Sequence, residues 1–234
     1  MNRIVLFIVG ILLCSCTNQK DATVKHHGKL ISIMGGNLEA VVSLDSIPSD
    51  HLYALGAVED LKGEIQIFNG KSFISKTTTD GNVQILDDLD HKAALLVHAQ
   101  VKEWTSPVSL KAFSTNQELE KQIKATAIAS DIDISKPFPF LLTGTANELK
   151  WHVINWPDND KNHSHYKHIT SGANGTLQDQ EMSILGFYSE KHQAVFTHHT
   201  TFLHMHFKTE GDLVIAGHVD ELKATDLSLS LPQR

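Results

Sequence analysis

Three histidines toward the C-terminal end of the chain have the types and spacing to hold one metal ion. They lie in Phe202-Leu203-His204-Met205-His206-Phe207 and in Ala216-Gly217-His218-Val219. Successive side chains on an extended strand alternate faces, so His204 and His206 share a face about 6.5–7 Å apart. Both imidazoles can reach one cation while Leu203, Met205 and Phe207 pack on the opposite face. Residues 212–221 read as the return strand of a hairpin turning near Glu210-Gly211-Asp212, which brings His218 beside the pair. Three neutral imidazoles with an open position form the ligand set of a catalytic zinc site, whereas structural zinc is usually closed by four residues. Composition weakens the signal: 15 histidines in 234 residues make about one chance His-x-His pair expected. His163-x-His165 fits that description.

Short strand-like runs dominate the elements that must position these residues. Glu64–Phe68, Asn69-Gly70 and Lys71–Ile74 read as a hairpin, because Asn-Gly supplies the positive φ angles of a type I′ turn. Alternation puts Glu64, Gln66 and Phe68 on one face and Ile65 and Ile67 on the other. Ala93–Val101 is a further apolar strand. One helix stands out, capped from Ser114-Thr115-Asn116, with Leu119, Ile123 and Ala127 recurring at four-residue spacing. Phe138–Thr143, Leu149–Ile154, Met182–Ser189, Ala194–His199, Phe202–Phe207 and Val214–Glu221 give a β-rich second half. The polar stretch Pro157–Gly175 reads as a long loop, a length often used for functional lids. No internal repeat is visible. The expected fold class is mixed α/β, mostly β, with two β-rich lobes meeting near Phe138 and the zinc site between them.

The first sixteen residues read as a lipoprotein signal peptide. Arg3 is a short basic region, Ile4–Leu13 an apolar run, and Leu13-Cys14-Ser15-Cys16 resembles a bacterial lipobox. The apolar run is short for a membrane span of about 20 residues. Cys16 is therefore the expected lipidated residue, anchoring the chain to a bacterial membrane outside the cytoplasm; an ordinary cleaved signal is the alternative. Residues 17–28 read as a flexible tether, and 29–231 as one domain large enough to bury a core. The chain's two cysteines are both used up by the signal and anchor, so histidine and carboxylate must supply any metal ligands. A net charge of −7 and the lack of a basic tract argue against nucleic acid as a partner.

Between Gly28 and Ser230 the chain resembles the α-acetolactate decarboxylase family. The resemblance rests on Leu55-Gly56-Ala57-Val58-Glu59-Asp60-Leu61-Lys62-Gly63-Glu64-Ile65, on the Asn69-Gly70 hairpin that follows, on Ser183-Ile184-Leu185-Gly186-Phe187, and on the histidine signature. It implies two β-rich lobes around Zn2+ held by His204, His206 and His218, with Glu64 as an acidic catalytic group. It also implies the reaction, in which acetolactate, a small 2-hydroxy-3-oxo acid, loses carbon dioxide and is reprotonated to acetoin. Apart from the resemblance, Glu64 would be an ordinary solvated carboxylate on a strand.

Two departures from the family pattern bear on activity. The family places an arginine after the motif matched by Phe140-Leu141-Leu142-Thr143-Gly144-Thr145, where it would meet the substrate carboxylate. His152 stands there, with Lys150 close by, and the only arginines are Arg3 and Arg234. Neither His152 nor Lys150 reproduces a planar bidentate fork. Family members also supply a glutamate from a C-terminal tail, for which Glu221 or Asp220 are the available substitutes. Three functions are therefore in competition: a zinc-dependent decarboxylase or close lyase variant, a non-catalytic lipoprotein that keeps fold and metal, and a hydrolase with Glu64 as general base. A homodimer is compatible with each. His163, His165 and His168 either line the pocket mouth or are solvated; His198 or His199 can orient a ligand; Trp151 and Trp156 read as core or pocket wall.

Overall fold

The computed structural model describes residues 22–233; the signal segment 1–16, with Cys16, and residues 17–21 of the expected tether lie outside them. Two antiparallel sheets carry most of the described chain, with few helices. The first contains β1 (Lys25–His27), β2 (Val42–Ser43), β3 (Leu52–Val58), β4 (Glu64–Phe68), β5 (Lys71–Thr77), β6 (Val83–Leu86) and β7 (Lys92–Gln100). Their order is β1-β7-β3-β4-β5-β6, with β2 also on β7. The β4–β5 turn is built as its residues require: Asn69 and Gly70 have φ of 50° and 80°, angles that Asn and Gly adopt at low cost.

The second sheet contains β8 (Val108–Ser109), β9 (Phe138–Val153), β10 (Ala173–Tyr188), β11 (Leu203–Thr209), β12 (Ala216–Lys223) and β13 (Asp226–Ser230). The long strands β9 and β10 pair from Val153↔Ala173 to Phe138↔Tyr188. Because β10 also pairs β11, β11 pairs β12, and β12 pairs β9, these four strands close into a ring.

Side-chain alternation decides which face of each strand meets which core. Ile65 and Ile67 of β4 pack with Leu52, Ala54 and Ile74 on the outer face of the first sheet. Leu203, Met205 and Phe207 of β11 pack beneath α2 (Asn116–Ala129) with Leu119 and Ile123. Between the sheets, Leu55 and Val97 meet Leu185, Phe187 and Phe196. Each fully buried aliphatic side chain contributes about 1.5–3 kcal/mol. α2 starts where the sequence places it: Thr115 is the N-cap, its hydroxyl accepting from the Glu118 N–H, and the Glu118 carboxylate accepts from Ser114 N–H at 2.8 Å.

Several expectations need correction. Residues 25–27 of the tether are a strand, with Lys25 opposite His98. Phe138–Thr143 and Leu149–Ile154 are one strand; Gly144, at φ 129°, bends it without ending it. The stretch 157–175 is not all loop, because α3 (His165–Thr170) forms there behind a Ser164 cap and β10 begins at Ala173. Residues 194–199 form turns rather than a strand, since Ala194 takes a left-handed φ of 59° and Val195, Phe196 and Thr197 N–H groups all turn back to the His192 carbonyl. Among the described residues no helix is long and apolar enough to cross a membrane.

Candidate metal centre

One row across the second sheet carries three imidazoles. His206 on β11 stands opposite His218 on β12, and His218 stands opposite His152 on β9. His204, two residues from His206, completes a near-equilateral triad with ring centroids 5.0, 5.2 and 5.3 Å apart. Close strand approach makes the row compact: a Cβ on Gly217 would lie 2.6 Å from the His152 carbonyl oxygen, so only glycine allows β12 to sit there before His218. A bulge between Val219 and Glu221 leaves Asp220 as the extra residue of β12, and its carboxylate lies beside His152 and His218.

The first sheet closes the site from the other side through β4. Glu64 Oε1 lies 3.7 Å from His152 Nε2, and Oε2 lies 3.8 Å from His206 Nε2. Gln66, on the same face of β4, places Nε2 3.1 Å from His206 Nδ1, while Ser75 Oγ donates to Gln66 Oε1 at 3.1 Å. The predicted alternation of β4, with carboxylate and amide on one face and isoleucines on the other, is what brings these groups to the histidines.

The residues fit a cation. His204, His206 and His218 each offer a nitrogen within 4.8 Å of the others. The Nε2 atoms of His204 and His206 are 3.2 Å apart. Two nitrogens bound at about 2.0–2.1 Å with a tetrahedral angle would stand about 3.3–3.4 Å apart, so this pair is already set to that spacing. His204 Nδ1 is buried without a hydrogen-bond partner, the Phe196 carbonyl near its ring falling short of bonding geometry. A second group, His152, His218 and Asp220, also brings ligand atoms together, but there the carboxylate is already hydrogen-bonded by His152, while His218 Nδ1, like His204 Nδ1, is buried without a hydrogen-bond partner.

Burial sets the protonation states. It pushes the Glu64 carboxyl well above the usual carboxylate range, opposed by a long bond from Ile154 N–H and aided by the charge of Asp220. At 4% exposure Glu64 keeps its proton to higher pH than an exposed carboxyl does. Burial lowers His204 and His206 well below the ordinary imidazole value, and neighbouring histidines add to this. They are held in the neutral form that ligates metal. Burial alone would raise Asp220, but the His152 bond and the His218 contact outweigh it and hold the carboxyl below its usual range. His152 Nδ1–H donates to Asp220 at 2.9 and 3.0 Å; His218 Nδ1 makes a longer contact of 3.3 Å. His152 Nε2 is therefore the bare nitrogen, turned toward Glu64.

Of the residues singled out in the sequence, the structure brings His204, His206, His218, Glu64 and His152 together. Lys150 is elsewhere: exposed, with Nζ 2.8 Å from Glu221. Asp220 is the acidic residue inside, and Glu221 the one outside. Gln66 and Ser75 had no motif to mark them; only the shared face with Glu64 hinted at Gln66. Trp156 is buried, stacked on His163 at 4.2 Å with His168 edge-on, and His165 of α3 meets His198 at 4.8 Å.

The chain is similar in fold to three solved proteins. Alpha-acetolactate decarboxylase from Bacillus subtilis strain 168 aligns at TM-score 0.73 and 15% identity, over 91% of this chain and 86% of that one. Acetolactate decarboxylase from Bacillus subtilis subspecies spizizenii gives TM-score 0.73 and 15% identity, over 91% and 87%. A Staphylococcus aureus protein of unknown function, described as similar to alpha-acetolactate decarboxylase, gives TM-score 0.70 and 16% identity, over 89% and 84%. No curated protein matches the chain. The family model for alpha-acetolactate decarboxylase matches residues 25–233, nearly the whole described chain with its histidine row and Glu64, and the chain belongs to the alpha-acetolactate decarboxylase family.

Proposed function

We propose that this protein is a metal-dependent decarboxylase of a small 2-hydroxy-3-oxo acid, with acetolactate giving acetoin and carbon dioxide as the reaction its family membership favours. The observation that carries this is the approach of buried Glu64 to His152 and His206 at the rim of a three-histidine set. His204, His206 and His218 would hold the cation, and zinc is the ion the all-nitrogen donor set suits. Bound there, such an ion supplies Lewis-acid stabilisation of the oxygen charge that develops as carbon dioxide departs.

The chain's own residues account for the other requirements. The bond from the carboxylate carbon to C2 breaks, its electron pair forms a C2–C3 double bond as the C3 oxygen takes the negative charge, and a proton must then be added at C2 to restore the carbonyl. Glu64, whose hold on its proton burial strengthens, is the donor, and solvent restores its proton after turnover. His152 is held by Asp220 with Nδ1–H outward from the centre and Nε2 facing Glu64, so it shapes the wall against which Glu64 works. Placing both groups among Ile154, Trp156 and the histidine rings limits water at the reacting carbon.

A second reading is favoured by one specific observation. No arginine occurs between Arg3 and Arg234, and the nearby cation Lys150 is ion-paired with Glu221. Among the described residues a substrate carboxylate would have no guanidinium to meet, which supports an altered substrate or a ligand-binding role on the same fold. The test is purified chain lacking residues 1–16, assayed for acetoin from acetolactate with zinc content measured on the same sample. Acetoin formed in proportion to bound zinc supports the decarboxylase; zinc-loaded protein with no acetoin removes it in favour of the second reading.

The proposed address is the outer face of a bacterial membrane, through a lipid on Cys16, supported by the lipobox-like Leu13-Cys14-Ser15-Cys16. Cys16→Ser should abolish lipid attachment, and mass spectrometry finding an unmodified N-terminus elsewhere would count against it. Self-association as a homodimer is part of the same proposal, and a monomeric mass by light scattering would remove it.

A further inference from the structure

We infer that Gln66, backed by Ser75, is a positioning residue for His206. The inference rests on the three-histidine reading of the site. Two neighbouring residues of one face of β4 hold both nitrogens of a single imidazole on the other sheet: Glu64 Oε2 stands 3.8 Å from Nε2 and Gln66 Nε2 stands 3.1 Å from Nδ1. His206, Gln66 and Ser75 are all fully buried. No solvent is at hand to repair a mismatched donor or acceptor, and a buried polar group left unpaired costs about 1–3 kcal/mol.

Ser75 Oγ–H donates to Gln66 Oε1 at 3.1 Å, so the amide turns its N–H donors toward His206. With the amide in that orientation Nδ1 is the accepting nitrogen and the ring proton sits on Nε2, whereas a bond to the Ile65 carbonyl calls for a ring N–H. That proton points at His204 Nε2, 3.2 Å away. An imidazole protonated at Nε2 cannot ligate there. For His206 to bind a cation through Nε2, the proton must sit on Nδ1, and Nδ1–H then needs an acceptor.

A half-turn of the amide supplies one. Gln66 Oε1 then accepts from His206 Nδ1–H, and Gln66 Nε2 donates to Ser75. A hydroxyl both donates and accepts, so Ser75 serves either orientation; alanine, valine or cysteine would not. The Ile65 carbonyl also lies beside the His206 ring and is the competing acceptor. Because Gln66 comes from the first sheet and His206 from the second, cation binding, His206 tautomer and the seating of the two sheets are tied through one amide.

The test is equilibrium binding of Co2+ as a probe ion, with proton NMR of the exchangeable imidazole N–H signals of the loaded protein. Wild type should show one shifted N–H signal from each ligating histidine. Gln66→Met, close in size and without an amide, should bind Co2+ about 10–100-fold more weakly and lose or move one signal only. Ser75→Ala should move the same signal with a smaller loss of affinity, which keeps the inference testable if Gln66→Met does not fold. Gln66→Glu, which accepts at Nδ1 without inverting, should restore the signal. Unchanged affinity and spectrum in both Gln66→Met and Ser75→Ala would overturn the inference and assign the role to Ile65. Binding is read without any turnover, so a protein inactive on acetolactate leaves this result standing; wild type that takes up no Co2+ overturns the inference and the metal site together.

Discussion

Replacing Asp220 with asparagine removes one negative charge from between two imidazoles without changing side-chain size. Asp220 accepts from His152 Nδ1–H at 2.9 and 3.0 Å and lies 3.3 Å from His218 Nδ1, with its side chain 11% exposed. An amide has one accepting oxygen, so with that oxygen kept on His152 Nδ1–H its NH2 replaces the charged oxygen beside His218 Nδ1, a buried nitrogen without a hydrogen bond of its own. A hydrogen bond to a charged partner is worth about 1.5–3 kcal/mol, and tenfold in a constant corresponds to about 1.4 kcal/mol. Loss of the contact to His218 should therefore weaken zinc binding by about 10–100-fold, the range seen for groups that orient metal-bound histidines. Competition with a chromophoric chelator at pH 7.5 measures this directly, with His204→Ala as the comparison. Under the three-histidine arrangement, His204→Ala is the more damaging change. Near-abolition of binding in Asp220→Asn, with His204→Ala almost unaffected, would refute the reasoning and move the ion to His152, His218 and Asp220.

Glu64→Gln should keep zinc and fold but lower acetoin formation by about 10²–10⁴-fold, the usual scale for a positioned proton donor; a loss below tenfold would show that Glu64 is not that donor. His152→Ala should lower turnover because it opens the wall beside Glu64, whereas Lys150→Ala should change KM by less than about threefold, its Nζ being held by Glu221 in an exposed pair of the kind that contributes little. A large rise in KM confined to Lys150→Ala would restore Lys150 as the carboxylate anchor. Burial lowers His98 and His168 to about 4, with neighbouring histidines adding to the effect. Their contribution to stability is complete above the ordinary value of 6.5 and is lost as pH falls toward 4, because the unfolded chain takes up protons that the folded one refuses. Glu64, raised by burial, acts with the opposite sign above its ordinary value of 4.5. His198 is likewise lowered to about 4, and His204 and His206 well below the ordinary value; with these histidines against one such carboxyl, the urea midpoint should fall between pH 7.5 and 5, and a flat profile would contradict this.

Much of the site was legible because the strand period is short and strict. His204 and His206 had to share a face, the apolar residues between them had to face a core, and Asn69-Gly70 had to turn β4 back on β5. Those three facts place β4 and β11 in recognisable form and mark Glu64 and Gln66 as face-mates. What was not legible depended on register between strands distant in sequence. Asp220 faces inward beside His152 because of a bulge on β12, which leaves no trace in residue type and makes Asp220 and Glu221 look equivalent. The single long β9 was read as two strands because Gly144 looks like a break when its neighbours are unknown. α3 leaves little trace in the sequence because His165–Thr170 has no apolar stripe and no buried residue; its contacts are made through His168, edge-on to Trp156 and 2.9 Å from His163. Residues 194–199 failed in the other direction, since an apolar Ala-Val-Phe run is compatible with a strand until Ala194 adopts a left-handed φ.

The most direct test of the metal centre is anomalous diffraction at the zinc edge from crystals of the zinc-loaded protein. One peak is predicted per chain, bounded by His204, His206 and His218 with three nitrogens at about 2.0–2.1 Å, and with Glu64 at its open side. A peak beside His152 and Asp220 instead, or none in crystals grown with zinc, would contradict the account.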